Sequence, residues 1–148
     1  MTYDEIVSGL RALDEADFEG PDGGAAGMDR LYELTNALGE VPAPERAIPE
    51  LFAVMERLHD VDLGAPGPLV HTLERMPYTT ELVASVRRFP TPLSVWMVNR
   101  ILNSELADVQ RRFYLDLLAA AAEHPGASRF ARDDAGRFLA FQTAGSAR

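Results

Sequence analysis

Apolar residues recur along this chain at the three-to-four-residue spacing of a helix, and no stretch alternates with period 2 over the length of a strand. Ile6, Val7, Leu10 and Leu13 form a first stripe. Met28, Leu31, Tyr32, Leu34 and Leu38 form a second, ended by Gly39, which fits the position just past a helix C-terminus. Leu51, Phe52, Met55 and Leu58 mark a third, and Pro49 suits its first turn, where a missing N–H costs nothing. Leu69, Val70, Leu73 and Met76 follow, opened by Ala65-Pro66-Gly67-Pro68 and stopped by Pro77. Thr79 or Thr80 can cap a helix that buries Leu82, Val83, Val86 and Phe89. Thr91 and Pro92 read as N-cap and first residue of the next helix, Leu93 to Asn103. That helix is apolar nearly all round, as one in the middle of a packed domain would be. Leu106, Val109, Phe113, Tyr114, Leu117, Leu118 and Ala121 continue the pattern until His124-Pro125-Gly126. The last segment, Ser128 to Phe141, carries Phe130, Phe138, Leu139 and Phe141 around Gly136 with less regular spacing.

The pattern predicts an all-α fold of seven or eight helices. Short joints make neighbouring helices antiparallel. Serial hairpins of this kind build a solenoid-like (HEAT-like) stack; an irregular helical bundle is the alternative. Residues 1–148 read as a single helical domain. A flexible Gly-rich loop is expected at 20–27, Gly20-Pro21-Asp22-Gly23-Gly24-Ala25-Ala26-Gly27, and a frayed tail after residue 143.

Composition narrows the function classes. Hydrophobic residues make up 47% and charged residues 25%, an ordinary globular mixture. The absence of cysteine excludes disulfides and thiolate metal sites. Acidic Asp4 and Glu5 stand where a signal peptide would need a basic start and an apolar run. No stretch has the roughly 18 apolar residues of a membrane span, so a cytoplasmic protein without a membrane partner is expected. All 14 basic residues are arginine, a bias expected of a GC-rich bacterial genome. The net charge is −9 and unevenly placed. Residues 1–62 carry 15 Asp and Glu against 4 Arg, whereas residues 63–148 carry 8 against 10. Free nucleic acid repels such a chain, because phosphate binding is led by Lys and Arg contacts.

Signatures of catalysis are missing. His59 lies near Asp60 and Asp62, but a metal site needs a further ligand at fixed spacing and none is evident. His71 has no serine or cysteine nucleophile to activate in the sequence. His124 reads as a helix C-terminal residue favoured by the dipole. There is no GxSxG, GxxxxGK[ST] or HExxH pattern. No catalytic residue, cofactor or metal is therefore predicted, and the chain is expected not to be an enzyme. Trp96 reads as core or, alternatively, as a partner-facing anchor. The acidic residues are the remaining candidate. Glu33, Glu40, Glu45, Glu56, Asp60 and Asp62 form a candidate partner-binding set, with Glu50 on the same helix. A carboxylate face suits docking on a basic, nucleic-acid-binding protein; the alternative is a plain solvated face.

Two segments carry a family resemblance: Asp62-Leu63-Gly64-Ala65-Pro66-Gly67-Pro68-Leu69-Val70-His71, and Phe89-Pro90-Thr91-Pro92-Leu93-Ser94-Val95-Trp96-Met97-Val98-Asn99-Arg100-Ile101-Leu102-Asn103. Together they resemble small all-helical bacterial immunity proteins of polymorphic-toxin or contact-dependent inhibition systems. The likeness spans roughly residues 45–120 and rests on helix-start and core segments. It implies a protein that binds and blocks a cognate toxin, with no catalytic residue to carry over. Gly67, Pro68, His71, Pro92, Trp96 and Asn99 would then be fold determinants rather than toxin contacts. A helical-repeat adaptor for a protein or peptide, with no toxin link, is the second expectation.

Overall fold

Thr2 opens the first helix. Its Oγ1 accepts the Glu5 N–H at 3.2 Å while the Glu5 carboxylate accepts the Thr2 N–H at 2.9 Å, a reciprocal cap. The computed structural model describes residues 1–146, with side chains through residue 144. Among these residues it is all-helical. Helix α1 (Tyr3–Ala12) is followed by a 3₁₀ turn (Glu15–Phe18) and α2 (Ala25–Leu38). A second 3₁₀ turn (Pro44–Ala47) runs into α3 (Ile48–Arg57). Then come α4 (Gly67–Leu73), α5 (Thr79–Arg88), α6 (Pro92–Leu102), α7 (Asp108–Ala122) and α8 (Arg129–Ser146).

Where the sequence reads as one domain, the chain packs as two compact units, Met1–Glu81 and Leu82–Arg148. In the first, α1 packs on α2 and α3, and α4 packs on the same two helices. The contacts close a ring instead of running serially, which is the irregular-bundle arrangement. Ile6, Leu10, Leu31, Leu34, Leu51, Phe52, Met55, Leu69 and Leu73 are fully buried there. Each such side chain contributes on the order of 1.5–3 kcal/mol through burial. Arginine ties the ring together. Arg57 donates from Nε and Nη2 to the carbonyls of Leu13 and Leu10, at 3.1 and 2.8 Å. The Leu13 carbonyl lies just past the end of α1, and the Leu10 carbonyl also accepts the Leu13 N–H at 3.3 Å, so Arg57 closes the exit of the helix. Arg11 grips both carboxylate oxygens of Glu50, with Nε 3.1 Å from Oε2.

In the second unit, α6, α7 and α8 pack pairwise on one another. Val95, Val98, Leu102, Leu117, Leu118, Ala121, Ala131 and Ala135 are buried. One polar group enters this core with its partners. Gln142, only 5% exposed, donates to Oδ1 of both Asn99 and Asn103 at 2.8 Å and accepts from Arg111 at 3.2 Å. Arg111 also donates to the Leu102 carbonyl at the end of α6. A buried amide satisfied in this way fixes helix register, since leaving it unpaired would cost about 1–3 kcal/mol.

Several elements depart from the sequence pattern. Gly39 is right-handed (φ −64°), and the chain leaves α2 through a tight Glu40 N–H to Ala37 carbonyl bond. Helix α4 stops at Leu73, and Met76 lies in a tightened turn before Pro77, with its N–H on the Leu73 carbonyl. Trp96 is half-buried, not core. The buried stripe of α6 is Ser94, Val95, Met97, Val98 and Leu102, which leaves Trp96 on the flank with the Arg100 guanidinium 5.5 Å from its ring centre. Val109, Phe113, Phe130 and Phe141 are exposed, because the faces that α7 and α8 turn inward carry Leu117, Leu118, Ala121, Ala131 and Ala135. Helix α8 continues past residue 143 to Ser146. The tail expected to fray extends to residues 147 and 148, which lie outside the described residues.

The Arg11–Glu50 pair gives the first unit an acid-side dependence. The guanidinium bond, and then the charge of Arg11, hold the Glu50 carboxyl below its ordinary range. A lowered carboxyl pKa contributes stability that is present above the unfolded value and lost as pH falls through the folded one. Glu50→Gln is expected to melt at a lower temperature than the parent near neutral pH. The gap should close as pH falls through the lowered titration range of the folded Glu50 carboxyl. Thermal unfolding of both proteins across that range checks it.

Candidate functional site

The acidic stretch after α1 folds on itself before the glycines begin. Asp14 Oδ1 accepts the Asp17 N–H at 3.3 Å and Asp17 Oδ2 accepts the Asp14 N–H at 2.9 Å, which winds Glu15–Phe18 into its 3₁₀ turn. The Gly-rich segment is a turn over residues 20–24, with Ala25, Ala26 and Gly27 already in α2. Asp22 makes this early start possible. Its carboxylate accepts the N–H groups of Gly24 at 3.0 Å and Ala26 at 3.1 Å, two donors that a helix start otherwise leaves unpaired. The Ala26 bond first, then the Gly24 bond, holds the Asp22 pKa below its ordinary value.

Glycine lets the two backbones touch. A Cβ on Gly24, whose φ is +86°, would lie 2.5 Å from the Phe18 carbonyl oxygen, and one on Gly27 would lie 2.3 Å from that of Asp17. Only residues without a side chain fit here. This contact seats Glu15 and Glu19 beside the start of α2. The loop after α3 supplies the other wall. The Val61 N–H bonds to the Leu58 carbonyl at 2.9 Å, Asp62 Oδ1 accepts the Gly64 N–H at 3.0 Å, and Asp60 Oδ1 is 3.1 Å from His59 Nδ1.

The result is a groove of about 380 Å³ within the first unit. Glu15, Glu19, Asp60 and Asp62 line it, with Phe18, Met28 and Val61 as its apolar part and Gly23 and Gly24 completing the wall. None of the lining residues is basic. The arrangement suits a long cationic side chain, whose methylene stem lies on apolar atoms while its head reaches carboxylate oxygens. Arginine fits best, because its planar fork can engage carboxylates in pairs.

Of the sequence-derived set, Asp60 and Asp62 enter the groove. Glu33 lies on α2 with Arg30 at 3.1 Å. Glu40 and Glu45 are exposed beyond α2 and in the second 3₁₀ turn, and Glu56 is half-buried near the end of α3. These four do not line the groove. Glu15 and Glu19 were missing from the set. Their signal was an acid-rich run, Asp14 to Glu19, set directly against glycines.

The histidines stand apart from one another in role. His71 is exposed on α4. His124 takes the Gly126 N–H on Nδ1 at 3.0 Å, which leaves Nε2 to donate to the Arg87 carbonyl at 3.1 Å. Among the described residues, no three His, Asp or Glu side chains are placed to hold a metal ion, and no helix is long and apolar enough to cross a membrane. Comparison with protein-family models, with curated proteins and with solved structures finds no match to this chain.

The groove's dependence on its glycines can be tested against a control in the same chain. Gly27→Ala forces a methyl onto the Asp17 carbonyl and is expected to cost about 1–3 kcal/mol. Gly136 lies in α8, where an added Cβ meets nothing within 4 Å. Gly136→Ala should therefore raise stability by about 0.5–1 kcal/mol through the better helix propensity of alanine. Urea unfolding of the two variants gives opposite signs if the close approach is real.

Proposed function

We propose that this chain is a protein-binding module that docks a basic protein partner through the acidic groove, and that it serves as an immunity protein occluding a cognate toxin domain. The observation that carries the docking reading is the groove itself: four carboxylates around an apolar floor, with no lining basic residue. Residues 1–62, which supply every acidic residue of the groove, carry 15 Asp and Glu against 4 Arg. Such a field speeds and orients the approach of a positively charged surface. A nuclease domain is a partner of the right charge, because it must itself hold a polyanion. The toxin link rests on the resemblance of residues 62–71 and 89–103 to immunity proteins. Occlusion needs no catalytic group, only a slow off-rate. A second reading, an adaptor for an apolar peptide, draws on Val109 and Phe113, which stand 82% and 42% exposed on α7.

Salt separates the two readings, since only the charged contact weakens strongly as ionic strength rises. Affinity capture from the source bacterium supplies the partner. A basic domain whose expression kills cells, and whose lethality this chain suppresses, supports the immunity reading. Reversing Glu15, Glu19, Asp60 and Asp62 to Lys is then expected to slow association at low salt by about tenfold or more and to abolish protection. An unchanged on-rate would remove the groove as the docking surface. Salt-insensitive binding lost on Phe113→Ser would favour the adaptor.

A further inference from the structure

Two large apolar side chains on α8 face water: Phe130 is 71% exposed and Phe141 66%. They are eleven residues apart, which returns them to the same side of the helix about 16 Å apart along its axis. Asp134 and Arg137 lie between them on the same stripe. The spacing of four, three and four is that of a heptad seam. Ala131, Ala135 and Gln142, on a different stripe of α8, are buried in the unit's own core. The seam 130, 134, 137, 141 is therefore a second stripe, exposed at Phe130, Arg137 and Phe141 and half-buried at Asp134, whose carboxylate meets Arg137 at its rim.

Its order is self-complementary. Read from either end the seam runs aromatic, charged, charged, aromatic, and the two charges are opposite in sign. If a second α8 lies antiparallel across a two-fold axis, Phe130 meets Phe141 of the other copy and Asp134 meets its Arg137, each pair occurring twice. This is what an isologous contact requires, with residue i on j and j on i. Within one chain Arg137 already reaches Asp134 at 2.9 Å while its side chain stays 70% exposed. The guanidinium can thus keep that bond and face a second carboxylate. We propose that this protein self-associates through α8, as an antiparallel pair in which two phenylalanine layers flank a cluster of two Asp134 and two Arg137 side chains. The charge order fixes both the occupant and the register, because a parallel pairing would set Asp134 on Asp134 and Arg137 on Arg137. The acidic groove belongs to the other unit, so this contact does not draw on the groove reading. One helix per copy makes a small interface, and the dimer is expected to be concentration-dependent.

Sedimentation velocity of the full chain, up to about 1 mM, reads the outcome directly. The mass should climb from that of the 16.2 kDa chain toward twice that value. Phe141→Asp should raise the dissociation constant by about tenfold or more, and Phe130→Ser gives an independent loss at the other end of the seam. Asp134→Arg and Arg137→Asp should each weaken self-association, since each sets like charges across the axis. An equimolar mixture of those two variants makes every cross-copy pair opposite again and should restore the dimer. A folding defect would not be repaired by mixing. A parent chain that stays at the single-chain mass throughout, or a mixture no better than its components, would overturn the proposal.

Discussion

Two carbonyl oxygens set against two glycines hold the first unit's acidic groove in place. The Phe18 and Asp17 carbonyls sit where Gly24 and Gly27 would otherwise carry side chains. This backbone contact fixes where α2 begins. It therefore fixes the phase in which Leu31, Leu34 and Leu38 come round to the core. Where α1 packs on α2 the same closeness recurs, since a Cβ on Gly9 would lie 2.6 Å from a Leu34 methyl. With the helix start set, the acidic turn has one place to go, and the groove follows from that.

Arginines in both units are bound to backbone carbonyls. Arg57 and Arg111 spend their N–H groups on carbonyls at the ends of α1 and α6. Arg46 and Arg132 do the same for carbonyls at Pro42, Ala43 and Ala127. At the ends of α1 and α6 the cations of Arg57 and Arg111 also meet the negative end of a helix dipole, so there this use of arginine favours the fold twice. Around the groove Asp62 takes up the Gly64 N–H and Asp60 lies against the His59 ring, and none of the lining residues is an arginine. Stability and surface potential are thus assigned to different residues, and reversing the groove's charge should leave the core intact.

Helix existence was legible wherever a stripe and a cap agreed. Thr91 and Pro92 open α6 as read, with the Thr91 hydroxyl on the Ser94 N–H at 3.0 Å, and Pro49 sits in the first turn of α3. The stripe Ile6, Val7, Leu10 and Leu13 is buried as its spacing required. Periodicity gave no means of telling a core stripe from an outward one, so Val109 and Phe113 were read with the buried stripe of α7, whereas both are exposed. Glycine content was read as looseness at 20–27, whereas Gly24 and Gly27 are the positions of closest packing. The groove itself was only half legible. Asp60 and Asp62 stood out on their loop, but pairing them with Glu15 and Glu19 needs a contact across some forty residues that no local pattern encodes.

The central claim is that this groove accepts a cationic side chain, and Met28 reports on it because it contributes to the apolar floor. A protein labelled at its methionine methyl groups can be titrated with a short arginine-containing peptide and, separately, with the same peptide carrying glutamate. Saturable shifts of the Met28 methyl and of backbone amides at 15–24 and 60–62, seen with arginine only and suppressed by salt, are expected. A Met28 signal that does not move with the basic peptide, or moves equally with the acidic one, would contradict the claim.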